Sequence, residues 1–336
     1  MSIGSPSSQS VPVYVAGQFR ATDGANMGDL ISFANELILD DVYELDFGAL
    51  PARLALTARD DASFCIGHDT TIGTAGAVVH LDCALTFMCP DSTTLEALLL
   101  VEVDAAGDVA EIYLLPFSTL ASALEYRLVG IDRAQAHCKF AQVACVSFTR
   151  GTQITMASGA QRAVEDLVTG DRILTRDDGV QTLRWIGTST TRAVGEFAPI
   201  RIHAGTLNNT ADLLVSPDHR LFIYQRTDEL GAGRAELLVK ARHLVNGDTV
   251  TVQSGGFVDY FQLLFDSHQI IYAEGIAAES MLIDSRTRPV LPDDLSRSLG
   301  THVKGHSDLP HAGLDAPERL LKRPDAAGLL KKASGR

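Results

Sequence analysis

The chain of 336 residues is 46% hydrophobic and 21% charged, enough length for two domains with separate cores and the composition of a globular protein. No apolar run reaches the roughly 20 residues of a membrane helix, so no membrane span is expected. Most of the net charge of −14 lies early, with 6 Lys/Arg against 19 Asp/Glu in residues 1–145; this acidity repels phosphate backbones and argues against nucleic acid as a partner, unless the basic end LLKRPDAAGLLKKASGR binds it alone.

Residues 1–10 are expected to be disordered. The start, MSIGSPSSQSVPVYVAG, shows neither a positive n-region nor a long apolar h-region, so no cleavable secretory leader is expected. Export by a leaderless route and a cytoplasmic location both stay open. Over residues 11–125, VPVYVAG, YELDFGA, AVVHLDCALTFM and LLLVEVDAAGDVAEIYLLP read as strands, rich in β-branched and aromatic residues and punctuated by Gly, Asp and Pro. The last is expected to be a hairpin turning at DAAGD. MGDLISFANELIL fits a short helix or a strand pair. This stretch is therefore an acidic, β-rich domain, the smaller of two, and residues 126–144 are expected to connect it to the next.

From Cys145 to about residue 288 the text changes to short strands and Gly-Asp turns at close spacing, as in an all-β domain. Residues 167–173, LVTGDRI, recur as LVNGDTV at 244–250, each after a polar stretch and before a β-branched run, which points to two related halves of one sheet system. After residue 288, prolines, Gly, Asp and His alternate with few apolar anchors. Residues 289–336 are expected to be a largely disordered tail with room for one short helix. The five cysteines, Cys65, Cys83, Cys89, Cys138 and Cys145, are odd in number and lack CxxC spacing, against both a zinc site and a full disulfide framework.

SFTRGTQITMASGAQRAVEDLVTGDRILTRDDGVQTLRWIG resembles the first block of the Hint domains, the module shared by inteins and hedgehog autoprocessing regions. SPDHRLFI is similar to that family's Thr/Ser-x-x-His motif, and YFQLLFDSHQIIYAEGIAAESM to its closing block, nearest the hedgehog and bacterial Hint versions. The resemblance covers roughly residues 145–288. It implies an all-β, Hint-type horseshoe fold with a pseudo-twofold repeat, consistent with the duplicated phrase, and it implies self-cleavage without cofactor or metal. The substrate would be the chain's own polypeptide; the acceptor nucleophile or binding partner is not indicated. Related arrangements also suggest a secreted bacterial protein, although the Gly/Asp nonapeptide calcium repeats that often mark leaderless export are absent.

By that resemblance a nucleophile attacks the carbonyl of the residue before it, exchanging an amide for an ester or thioester. An amide nitrogen leaves poorly, so a histidine that titrates near neutrality is needed to protonate it, and His219 fits. Ser216 would hydrogen-bond the main chain at the scissile bond or the developing oxyanion, and Gly151 and Thr152 would make the turn behind the nucleophile. The family's cysteine is replaced here by Ser147, a weaker nucleophile because its hydroxyl is almost wholly protonated. Cys145, two residues earlier and thus restored to the same strand face, stays a second candidate. His268 takes the place of the closing-block histidine, with Asp266 the nearest carboxylate, while the family's acidic position falls at Phe261. No His-Asn ending follows, so full splicing is not expected. Two other readings stay open: an inactive Hint scaffold or interaction module, and a trans-acting hydrolase using Ser147, His219 and an aspartate.

Overall fold

The computed structural model describes residues 8–59, 63–68, 70–228, 230–283, 287, 314–316, 318–321 and 325–334. They gather into two compact units, divided along the chain between Ala144 and Cys145. The first holds β1 (Ser8–Val15), β2 (Phe19–Asp23), β3 (Val42–Leu45), β4 (Ala52–Ala58), β5 (Phe64–Ile66), β6 (Val78–Met88), β7 (Thr94–Val103), β8 (Val109–Pro116) and β9 (Glu125–Asp132). Their order is β2-β3-β9-β6-β5-β4-β1-β8-β7, and β6 also pairs with β7. The extra pairing closes a ring of six strands, because β6 is long enough to hold β7 along one side while its start pairs with β5 and its end with β9. Closure removes the exposed edges that an open sheet would present.

Alternation fills the inside of this unit: along β6 every second residue from Val79 to Phe87 is buried. Phe19, Tyr43, Phe87 and Tyr126 pack ring against ring at its centre. The expected hairpin is β7 and β8. Asp104 accepts the N–H groups of Ala106 and Asp108 on its Oδ1, and Gly107 supplies a φ of +89° that the turn needs.

Two expectations for this unit need correction. Residues 126–144 are not a connection: β9 runs through them as an inner strand with Tyr126 and Leu128 buried. A helix, α1 (Ala136–Ala144), follows, and its Phe140 meets Phe64 edge-on at 4.8 Å. Half of the residues of β9 are Tyr, Leu, Val or Ile, and with a partner strand on each side these are enough to anchor it despite the charges between them. MGDLISFANELIL is neither helix nor strand pair. It is a loop fixed by buried Ile31 and Leu37 and by backbone bonds to β2, Asp29 O accepting from Ala21 N–H and Phe19 O from Ile31 N–H.

The second unit is also built of strands: β10 (Phe148–Thr149), β11 (Gln153–Thr155), β12 (Gln161–Ala163), β13 (Arg172–Leu174), β14 (Val180–Thr182), β15 (Trp185–Arg192), β16 (Ile200–Ile202), β17 (Leu213–Val215), β18 (Arg220–Tyr224), β19 (Glu236–Lys240), β20 (Val250–Val252), β21 (Phe257–Leu264), β22 (Ile270–Ala273) and β23 (Ile276–Glu279). One sheet runs β15-β21-β10-β17-β16-β20 and the other β12-β11-β22-β23-β18-β19, with β13 and β14 as a separate ribbon. The chain is thus all-β in two parts, as expected, a Hint-like unit preceded by a β-rich one.

The duplicated phrase marks a real equivalence. Strands β10, β11 and β12 lead into a 3-10 turn at Val164–Asp166, and β17, β18 and β19 into one at Ala241–Leu244. The connecting turns match bond for bond: Thr152 N–H donates to Thr149 O and His219 N–H to Ser216 O, after which Val164 N–H donates to Thr152 O and Ala241 N–H to His219 O. Gly170 and Gly247, the glycines of the two copies, both have positive φ.

Of the C-terminal stretch expected to be largely disordered, most falls outside the described residues, as do residues 1–7 of the expected disordered start; residues 8–10 belong to β1. The described parts of the tail are ordered. They include α2 (Glu318–Leu321) and α3 (Ala326–Ser334), whose Leu321, Ala326, Ala327 and Leu330 join the core of the second unit. Leu314 and Ala316 bond to Leu238 on β19. No helix among the described residues is long and apolar enough to cross a membrane.

Candidate functional site

The registers of four neighbouring strands create one polar row. Phe148 is paired with Phe261 on one side and Val215 on the other, so one residue back Ser147 lies opposite both Gln262 and Ser216. Gln262 in turn pairs with Gly187 on β15. The row Gly187, Gln262, Ser147, Ser216 is set by the same pairing that puts Phe148 and Phe261 into the core on the other face.

Within this row Ser147 is held at every polar atom. Its N–H donates to Ser216 Oγ at 3.0 Å, and its carbonyl accepts the Ser216 N–H at 2.9 Å. Its hydroxyl accepts a hydrogen from Gln262 Nε2 at 2.8 Å and donates weakly toward the Cys145 carbonyl at 3.5 Å. Ser216 Oγ donates to the same carbonyl at 3.4 Å. Ser147, Ser216 and Cys145 are all buried.

His219 closes the site from the turn after β17. The ring lies edge-on to Phe148, 4.5 Å between centroids, and is fully buried. Its Nδ1 is 3.1 Å from the Ser147 carbonyl oxygen and its Nε2 3.1 Å from the Glu279 carbonyl oxygen. Burial lowers its pKa, against the raising influence of Glu279 and the two carbonyls. The expected contact to the main-chain nitrogen of residue 147 is therefore displaced by one peptide unit: Ser216 occupies that N–H, and the imidazole binds the carbonyl of the same residue.

Behind the ring stands a buried ion cluster. Glu279 receives hydrogen bonds from Nε and a terminal nitrogen of the Arg220 guanidinium, the shortest at 2.6 Å, another from the Arg220 backbone N–H at 3.0 Å, and an interaction at 3.2 Å with His268 Nε2. Burial pushes the Glu279 carboxyl up, but Arg220 and His268 outweigh it and hold it well below the usual carboxylate range. His268 thus touches the site through Glu279 and not directly. Asp266 is not brought there: it forms a forked ion pair with Arg184 at the exposed end of β21. Gly151 and Thr152 make the expected turn, with Gly151 at φ +88° and Thr152 Oγ1 donating to Thr149 O.

Three contributors were missed in the sequence. Glu279 and Arg220 belong to no catalytic phrase of the sequence; the β18 and β23 pairing brings them together. Gln262 was passed over for its neighbour Phe261, the position matched to the family's acid, although a lone amide in the apolar run YFQLLF is a signal in itself. Among the described residues no group of three His, Cys, Asp or Glu side chains could hold a metal ion. The site's chemical means are a buried hydroxyl, two hydrogen-bonding side chains on the preceding peptide bond's nitrogen and on that hydroxyl, and one imidazole.

The family described as the Hint domain matches residues 146–285. Among solved structures the chain is similar to the Ssp DnaB mini-intein variant M86, at 9% identity and a TM-score of 0.28 over 41% of this chain and 97% of that one. The gp41-1 intein is matched at 10% identity and a TM-score of 0.25, over 40% of this chain and 97% of that one. For the MchDnaB-1 intein the values are 12% and 0.26, over 40% and 98%. No curated protein matches the chain.

Proposed function

Residues 146–285 are a Hint domain, and on that premise we propose that the chain cuts itself at the bond between Val146 and Ser147, releasing residues 1–146 from 147–336 without splicing. Ser147 Oγ attacks the Val146 carbonyl carbon and gives up its proton. The carbon–nitrogen bond then breaks, the Ser147 nitrogen leaves as an amine that takes up a proton, and Val146 is left as an ester on Oγ. Water hydrolyses the ester, returning the hydroxyl and a Val146 carboxylate. Ser216 Oγ accepts the N–H of the scissile bond at 3.0 Å, and on turning its own O–H away from the Cys145 carbonyl it becomes the immediate proton donor to the leaving nitrogen. His219, bound to the carbonyl of the same residue, is the ionisable group whose cation drives the step.

One observation carries this reading: Ser147 is gripped at its nitrogen, carbonyl and hydroxyl by Ser216, His219 and Gln262 together. A serine needed only for packing would have no use for three separate partners. Cys145 as nucleophile is less well supported, since the contacts gathered at the site involve its carbonyl; attack there would release residues 1–144. An inactive scaffold is favoured by one observation, the absence of any carboxylate or imidazole bonded to the Ser147 hydroxyl among the described residues.

Hydroxylamine at neutral pH decides between these readings, because it captures an ester as a hydroxamate and leaves ordinary amides intact; a cut at Asn246–Gly247, the chain's hydroxylamine-sensitive Asn-Gly bond, is told apart by its mass. Incubated with the folded chain, it should yield a fragment ending in a Val146 hydroxamate, and Ser147→Ala should abolish it. A hydroxamate on Ala144 would transfer the role to Cys145, and an intact chain would favour the scaffold.

A further inference from the structure

We propose that Gln262 is the positioning residue of the Ser147 hydroxyl, and that it orients this nucleophile while leaving it without a base; the inference rests on Ser147 being the attacking group. Gln262 is buried on β21, directly across from Ser147 in the sheet. Its Nε2 donates to Ser147 Oγ at 2.8 Å, the shortest contact the hydroxyl makes. This hydrogen bond occupies one oxygen lone pair and turns the O–H toward the Cys145 carbonyl, an acceptor that takes no proton. An amide cannot take the proton either.

The neighbouring strand is shaped to admit this side chain. Gly187 faces Gln262, and a Cβ on it would lie 2.5 Å from Gln262 Oε1 and 2.2 Å from the Trp185 ring. A glycine here leaves room for the amide beside the indole, and Trp185 limits where else it can go. Rotamer freedom is thereby removed from Gln262, and through it from Ser147. The attack still needs a proton acceptor, so replacing the amide by the isosteric carboxylate supplies one at hydrogen-bond distance. In Gln262→Glu the carboxylate takes the Oγ proton as the new carbon–oxygen bond forms, and passes it to solvent after the carbon–nitrogen bond has broken.

The test measures fragment formation at the 146/147 bond in hydroxylamine by intact mass, for the full chain and for Gln262→Glu, Gln262→Met and Ser147→Ala, with circular dichroism to verify each fold. Gln262→Glu should cut about 100-fold faster, the usual lower reach of general base catalysis, at about pH 9, with the advantage shrinking toward about pH 5. Its rate should rise with pH through a carboxylate titration missing from the parent, raised by burial of the new acid. Gln262→Met, similar in size but without a donor, should slow the parent by about tenfold as orientation is lost. If the parent is cut in a Ser147-dependent way while both Gln262 variants match its rate and pH profile, this inference is wrong and the function stands. If parent and Gln262→Glu stay whole at every pH while folded, the reading of Ser147 fails, and this inference with it.

Discussion

Both nitrogens of His219 face carbonyl oxygens at 3.1 Å, and an imidazole can donate to both only as a cation. Burial opposes that charge and lowers the pKa, so near neutrality the ring is neutral and donates to only one of the two carbonyls. The consequence is a sign for pH. The unfolded chain binds this proton below about pH 6.5 and the folded one only at lower pH, so His219 makes the fold less stable as pH falls through that window. In the proposed cleavage the same protonation would supply the acid, so the first-order cleavage rate should increase as pH drops below about 6.5 and this acid limb should vanish in His219→Asn; a rate flat or falling toward acid would contradict the role. Glu279 acts in a separate window. Its carboxyl is held low by Arg220 and His268 against burial, so its stabilisation is complete above the ordinary glutamate range near pH 4.3 and is lost as pH falls below it. Removing the charge with Glu279→Gln leaves the Arg220 guanidinium with only the more exposed Asp315, 3.4 Å away, as a carboxylate partner among the described residues, and should cost about 3 kcal/mol in urea denaturation at neutral pH, the lower end for a broken buried pair. The variant should also lose the parent's steep decline in acid, whereas an unchanged midpoint would show the cluster to be dispensable.

At the level of elements, the site exists because four strands share a register. Ser147, Gln262 and Ser216 become neighbours only when β10 pairs with β21 and β17, which is why the first and second motifs were legible as phrases while Gln262 was not. A phrase names residues on one strand; a partner seventy or more positions away enters through pairing, and a shift of one residue between Phe261 and Gln262 moves the side chain from core to site. The tail illustrates the converse. Its prolines and charges read as disorder, yet α3 packs on β18 and Arg226 N–H donates to Ala333 O. Few apolar anchors suffice when the receiving surface is already built. Leu330 is fully buried there, so Leu330→Ala should lower stability by about 2–5 kcal/mol in urea, the cost of an emptied core position. A loss within about 0.5 kcal/mol would mean that the helix merely rests on the surface.

Each unit of the whole molecule has its own hydrophobic core, one around Phe19, Phe87 and Tyr126 and one around Phe148, Leu221 and Leu330. Two calorimetric transitions are therefore expected in place of one. Phe87→Ala, which empties the centre of the first core, should lower one transition by about 3–5 kcal/mol and leave the cleavage rate unchanged; a common shift of both would refute their independence. Composition and alternation made the all-β division legible, because acidic charge and strand spacing change together near residue 145. The boundary itself was blurred, since β9 and α1 interleave apolar residues with Glu125, Arg127, Asp132, His137 and Lys139, and only the packing shows that Tyr126, Leu128 and Phe140 are buried. The Hint resemblance was legible to the extent that a serine, a Ser-x-x-His turn and a duplicated Gly-Asp phrase occur together. The account's centre is the attack of Ser147 on Val146, and its most direct test is the mass of the C-terminal product when the purified full chain is left at mildly acidic pH. The account predicts a fragment beginning at Ser147 that is lost in both Ser147→Ala and His219→Ala; a chain that stays whole, or a cut that persists in Ser147→Ala, would contradict it.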